Sequence, residues 1–216
     1  DPGSYLVVMA TALGKTAIFT HMERKGRVLI LSHRDELVRQ PLQYYDCSCG
    51  VEEAEEHSNG EEVVSASVQS LWRRLDRFKP DDFDTIITDE AHHAAAPSYR
   101  KIYDFFKPRL HIGFTATPNR GDKVRLDDVY DSIIFQRDLK WGIEQEYLTN
   151  INCLRVDIGY DLSKIKVRRG DLEPDKLSEE LNQECLNKGI ALAYEKYAKG
   201  QTIIFATSVA HAMGIA

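Results

Sequence analysis

Asp84-Thr85-Ile86-Ile87-Thr88-Asp89-Glu90-Ala91-His92-His93-Ala94 is an apolar run that ends in two adjacent carboxylates. The apolar part reads as a strand buried on both faces, the condition of a parallel sheet covered by helices. In such sheets ligands bind just beyond the carboxyl ends of the strands, so Asp89 and Glu90 are expected to face a site. The two side chains can divide a task. Asp89 would hold Mg2+ through its water shell, while Glu90 would orient and deprotonate a water attacking a terminal phosphate. An acidic pair at a strand end is a weak signal alone. It is strengthened by a phosphate-type loop upstream and a Thr-Ala-Thr turn downstream.

The upstream loop follows the apolar stretch Tyr5 to Ala10 and reads Thr11-Ala12-Leu13-Gly14-Lys15-Thr16, after which Ala17 to Met22 has helical character. Strand, tight loop and helix form a phosphate-binding layout. Backbone N–H groups from Ala12 to Thr16 would cradle phosphate oxygens, Lys15 would reach the β and γ phosphates, and Thr16 would ligate Mg2+. The competing reading is a plain strand-to-helix turn.

Other strand ends carry polar groups. Arg27 to Ser32 is a second buried strand, and His33-Arg34-Asp35-Glu36-Leu37-Val38 is expected to open a helix capped by Ser32 or Asp35. His33 and Arg34 stand where a nucleic-acid backbone could be held, Arg34 through a charge-assisted phosphate contact. Glu62 to Ser67 is a third strand, followed by Val68-Gln69-Ser70-Leu71, whose polar end could also meet phosphates. Arg73, Arg74 and Arg77 read as a solvated face. Between these strands, Glu52 to Glu62 holds six glutamates and reads as a solvated loop or frayed helix, with His57 given no role. Tyr99, Ile102, Tyr103 and Phe106 have core-helix spacing over about Ser98 to Phe106. His111 to Phe114 is expected as the fifth strand, ending in Thr115-Ala116-Thr117-Pro118. Ile133 to Leu139 and Trp141 to Leu148 read as the exit from a first domain. Beyond Thr149, strands are expected over Ile151 to Ile158 and Thr202 to Ala206, with one long helix over Leu177 to Tyr197. The basic cluster Lys164, Lys166, Arg168 and Arg169 reads as a loop.

At 216 residues the chain can bury one full core and part of a second. With no apolar run of the roughly 20 residues that a membrane span needs, no membrane association is expected. The start, Asp1-Pro2-Gly3, lacks a signal-peptide pattern, so cytoplasm is the expected compartment. Four cysteines at these spacings make no zinc ribbon, and a net charge of -6 argues against a generally basic nucleic-acid coat while leaving local patches possible.

Taken together, the motifs resemble the DEAD/DEAH-box helicases of superfamily two, in their restriction-enzyme-like DEAH branch. Ala12 to Thr16 resembles motif I, Leu31 to Gln40 motif Ia, and Ala66 to Leu71 the nucleic-acid-contacting element before motif II. Asp89 to His93 resembles motif II, Gly113 to Arg120 motif III, and Thr202 to Ala212 motif IV. The resemblance implies an α/β architecture: a RecA-like P-loop domain over 1–150 and the opening part of a second over 151–216. It implies ATP and Mg2+ as cofactors and ATP-dependent work on nucleic acid. Under it, Glu90, Lys15 and His92 form the catalytic set, with His92 coupling nucleotide to the interdomain cleft. Thr115 and Thr117 link hydrolysis to strand engagement, and His33, Arg34, Gln69 and Ser70 contact nucleic acid.

Two departures accompany the resemblance. The pattern usually has Gly or Ala at Met9 and Gly at Ala12, so a left-handed backbone at Ala12 would be strained. An adenine-reading segment before Tyr5 and the arginine-finger motif after Thr202 are missing, so the chain reads as a helicase fragment whose partner domains or subunits supply them. DNA is the favoured partner, with an RNA helicase or a nucleotide-binding module without turnover as alternatives.

Overall fold

The computed structural model describes residues 2–118, 126–157, 167–168, 171–172 and 174–216. They group into two compact units, Asp1–Asn150 and Ile151–Ala216.

The first unit is built on seven parallel strands: β1 (Gly3–Met9), β2 (Val28–Ser32), β3 (Cys49–Glu52), β4 (Val63–Ser67), β5 (Thr85–Asp89), β6 (Leu110–Thr115) and β7 (Ser132–Arg137). Their order is β3-β4-β2-β5-β6-β1-β7. Helices α1 (Lys15–Thr20), α2 (Val68–Leu71), α3 (Pro97–Phe105) and α4 (Leu139–Glu144) join them. Successive strand residues point to opposite faces, so each central strand feeds two cores. Leu29, Leu31 and Ile86 pack with Tyr99, Ile102 and Phe106 on one face. Ile30, Ile87 and Ile112 pack with Phe19 and Met9 on the other. Each such side chain, once buried, contributes roughly 1.5–3 kcal/mol. Every residue of β2 and of β4 is buried, as strands covered on both sides require.

Several expectations are corrected. His111 to Phe114 belongs to the sixth strand, because Cys49–Glu52 forms a short β3 paired with β4. The stretch from Glu52 is not wholly solvated: the Glu52 side chain is fully buried. No helix follows His33. Two 3-10 turns, Asp35–Leu37 and Pro41–Tyr44, stand there, and no side chain caps the first. Pro41 lacks a backbone N–H and is tolerated only at a helix start, so a helix running through it is ruled out. Residues after Ile133 form more than an exit: β7 pairs in parallel with β1, and Asp138 caps α4 by accepting from the Trp141 N–H at 2.8 Å.

The second unit contains a two-residue antiparallel pair, β8 (Val167–Arg168) and β9 (Asp171–Leu172). It also holds α5 (Pro174–Leu181), α6 (Glu184–Tyr197) and α7 (Val209–Ile215). The expected single helix is therefore two, broken at Asn182–Gln183, where the Asn187 amide donates to Asn182 Oδ1 at 2.9 Å. Neither residues 151–157 nor residues 202–206 form a strand. A strand exists only through hydrogen bonds to a neighbour, and apolar sequence does not supply one. Ile158 and the side chains of the Lys164, Lys166, Arg168 and Arg169 cluster lie outside the described residues. Among the described residues no helix is long and apolar enough to cross a membrane.

Candidate functional site

Because the sheet is parallel, the carboxyl ends of its strands share one edge. The loop after β1, His33–Arg34 after β2, Gln69–Ser70 after β4, Asp89–Glu90 after β5 and Thr115–Thr117 at the end of β6 therefore stand along that edge. A cavity of about 310 Å³ collects part of this set, including Thr11, His33, Arg34, Asp89, Glu90 and Thr117. His92 and His93 also line it. Lys15 and Thr16 do not line it; they sit half-buried at the start of α1. Gln69 and Ser70 are likewise outside it.

The loop after β1 is held in an unusual backbone conformation. Gly14, just before α1, has φ 78° and ψ 33°, and Ala12 has φ 68°. Glycine adopts the left-handed region without penalty, whereas at Ala12 the Cβ costs about 1–2 kcal/mol. No side chain caps α1, so the N–H groups of its first turn are left to solvent or to a ligand. The Lys15 ammonium lies 3.5 Å from the Met9 carbonyl oxygen. The Met9 side chain is buried in the core with Phe19, in a cluster against which Leu13 of the loop also packs.

At the end of β5 the chain turns sharply. Glu90 is left-handed, with φ 49° and ψ 51°, and its N–H donates to Asp89 Oδ1 at 3.0 Å. Burial raises the Asp89 pKa, the neighbouring Glu90 charge raises it further, and the Glu90 N–H and the Lys15 charge oppose both. None of the ion pairs among the described residues involves Asp89. Glu90 Oε2 lies 3.2 Å from His92 Nδ1, and the same nitrogen is 3.2 Å from Thr115 Oγ1. The Thr117 N–H donates to Thr115 Oγ1 at 3.1 Å, which ties the β6 turn to the same histidine. Close approach at this point needs Gly113, where a Cβ would stand 2.8 Å from that of Ala91.

The expected nucleic-acid residues are placed as follows. Arg34 is exposed. The Gln69 amide donates to the His33 carbonyl at 3.0 Å and lies 3.3 Å from its Nδ1. Ser70 Oγ accepts from the Ala54 N–H at 3.1 Å, so the hydroxyl is partly engaged within the chain.

Two features escaped the sequence. His93 stacks on His33 with centroids 4.3 Å apart and planes at 23°; the doubled histidine of Asp89 to His93 was the available signal. Glu52 meets Arg74 at 3.0 Å, His57 at 3.1 Å and Arg77 at 3.5 Å, and accepts from the Ser58 N–H at 3.0 Å. Burial pushes its pKa up, but the Ser58 N–H, His57, Arg74 and Arg77 outweigh burial and hold it below the usual carboxylate value. Arg74 and Arg77 are thus partners of a buried carboxylate and not only a solvated face. In a run of six glutamates, nothing in the sequence distinguishes this one.

Residues 1–120 match the family described as type III restriction enzyme, res subunit. A Saccharomyces cerevisiae protein carrying the ATP-dependent helicase name IRC3 is 34% identical over 97% of this chain and 34% of its own length. The EcoAI type I restriction enzyme endonuclease subunit of Escherichia coli is 27% identical over 96% of this chain and 30% of its own. The DNA 3'-5' helicase XPB of Kineococcus radiotolerans is 28% identical over 72% of this chain and 31% of its own. The chain thus spans about a third of the length of these relatives. Among solved structures, the Hef helicase domain of Pyrococcus furiosus superposes with a TM-score of 0.56 at 19% identity, covering 99% of this chain and 48% of that one. At that identity the likeness speaks to fold.

Proposed function

The chain belongs to the family of the type III restriction enzyme res subunit, within the helicases of superfamily two, and from that premise we propose that it forms the ATP-hydrolysing part of a DNA helicase or translocase. The observation that carries this reading is the turn at Asp89–Glu90. A left-handed Glu90 keeps one carboxylate at the strand end and sends the other against His92, which in turn meets Thr115.

In this reading the loop Ala12 to Thr16 holds the phosphates through backbone N–H groups, with Lys15 reaching the terminal ones. Asp89 and the Thr16 hydroxyl fit Mg2+. Asp89 is half-buried, takes part in none of the described ion pairs and has a pKa raised by desolvation and by the Glu90 charge, which a dication would offset. Bound Mg2+ would neutralise charge on the phosphate oxygens. Glu90 orients a water in line with the terminal phosphorus and takes its proton. His92 fixes the Glu90 carboxylate, and Thr115 with Thr117 holds His92, so the β6 turn reports on the base. His33, Arg34, Gln69 and Ser70 contact the nucleic-acid backbone. Residues 151–216 would be the first part of a second RecA-like domain, completed by further domains or subunits.

DNA is favoured over RNA by the likeness to restriction subunits and to XPB. The test is Glu90→Gln with both polynucleotides. Phosphate release that DNA stimulates more than RNA, and that the substitution abolishes while Mg-ATP binding persists, supports the reading. Stimulation by RNA alone reassigns the partner, and Mg-ATP binding without any release supports a switch module.

A further inference from the structure

Four side chains form a continuous chain of contacts from the expected nucleic-acid seat to the expected base. The Gln69 amide holds the His33 carbonyl at 3.0 Å and lies 3.3 Å from its ring nitrogen. The His33 ring lies on His93, with centroids 4.3 Å apart and planes at 23°. The His93 ring in turn abuts His92 at 4.2 Å and 44°. His92 Nδ1 stands 3.2 Å from both Glu90 Oε2 and Thr115 Oγ1.

We propose that His93 is a positioning residue that couples nucleic-acid seating to the nucleotide site, by carrying the position of His33, on which it stacks, to His92, which its ring abuts at a tilt. This rests on the function proposed above. The physical basis is that stacked planar rings at this separation are already in van der Waals contact, so a displacement of one moves the next and is not absorbed by compression. His33 and Gln69 sit at the ends of two strands, β2 and β4, and the Gln69 amide bridges them. A phosphate backbone docking against Arg34 and Gln69 would shift the His33 ring, and the shift ends at Glu90. Methyl-sized or flexible side chains at His93 would leave a gap that takes up the movement. The two ends of the path belong to different ligands, so the expected effect is on the linkage between them more than on either affinity alone.

The test measures that linkage without turnover. The affinity of the chain for Mg-adenylyl-imidodiphosphate is determined by calorimetry with and without a saturating single-stranded DNA oligonucleotide, and DNA affinity is followed by fluorescence anisotropy. In the unsubstituted chain, DNA is expected to change nucleotide affinity by about five-fold or more, within the usual range of allosteric coupling. His93→Ala should reduce that factor to under about two-fold while each separate affinity stays within about three-fold. His93→Phe, which keeps a stacking ring, should retain most of the factor and guards against misfolding of the alanine variant. Full coupling in His93→Ala, equal loss in the alanine and phenylalanine variants, or two bound ligands with no coupling in the unsubstituted chain would each overturn the proposal. Failure of the unsubstituted chain to bind either ligand would instead remove the functional reading beneath it.

Discussion

Thr85-Ile86-Ile87-Thr88-Asp89 and Thr202-Ile203-Ile204-Phe205-Ala206 begin with the same three residues, and they meet opposite fates. The first is β5, a central strand with Ile86 at 0% and Ile87 at 2% exposure. The second forms no strand, and Ile203 is 79% and Phe205 93% exposed. The shared Thr-Ile-Ile carries the same strand propensity in both, and Phe205 favours a strand more than Asp89 does. What differs is company: β5 pairs with β2 on one side and β6 on the other, while no described strand in the second unit pairs with residues 202–206. Strand propensity records how well a side chain fits a sheet that already exists.

Hydrogen exchange should break or keep this comparison most visibly. Backbone amides of Ile86 and Ile87 are expected to exchange only through global opening, which for a domain of this kind corresponds to about 5–15 kcal/mol. Amides of residues 203–205 should exchange close to the unprotected rate. Comparable protection at both would mean that the second stretch is paired in solution.

A second substitution attacks the comparison from its polar side. Glu52 looks like surface by composition and is core by its partners. Glu52→Ala leaves the Ser58 N–H without its acceptor and Arg74 and Arg77 without their shared carboxylate, and because both arginines can still reach solvent the expected loss is about 1–3 kcal/mol in urea denaturation. A loss under about 1 kcal/mol would place Glu52 with ordinary surface ion pairs.

The third sharpens the account of β6, the neighbour that β5 needs. His111 is buried, with Nδ1 3.0 Å from Ser4 Oγ and Nε2 3.2 Å from Thr88 Oγ1. Burial lowers its pKa to about 4, with the Asp131 charge opposing. The unfolded chain therefore binds more protons than the folded one between about pH 6.5 and 4, and stability falls as pH drops through that window. From pH 7 to pH 5 the loss should be roughly 1–2 kcal/mol, and His111→Gln should flatten that part of the profile. A slope that survives the substitution would assign the effect to another group.

The smallest effect concerns the loop after β1. Ala12 at φ 68° carries strain that glycine would not. Ala12→Gly is expected to tighten Mg-ATP binding by several-fold, about ten-fold if roughly 1.4 kcal/mol of the strain is recovered. Unchanged affinity by calorimetry would show the methyl to be harmless there.

Much of the site was legible because its parts are local. The order of loop, acidic pair and Thr-Ala-Thr turn lies in contiguous residues, and a parallel sheet then forces them to one edge. The strands β2, β4, β5 and β6 were legible from their apolar runs. Short β3 was not, since Cys49-Gly50-Val51-Glu52 has neither an apolar run nor a bounding turn signal, and its pairing with β4 is what makes it a strand. The break at Asn182–Gln183 and the turns after His33 were missed for the related reason that hydrophobic periodicity continues across them.

The sequence by itself determined the chemistry available at each strand end and the depth of the central strands, whereas the left-handed backbone at Ala12 came from the structure. Only the tertiary structure decided that Glu52 is buried, that His33 lies on His93 and that one of two nearly identical Thr-Ile-Ile stretches is a strand. The physical reason is common to the three. Burial of a charge, stacking of two rings and pairing of a strand are each properties of two groups distant in sequence, and their free energy exists only once the fold has brought the second group to the first.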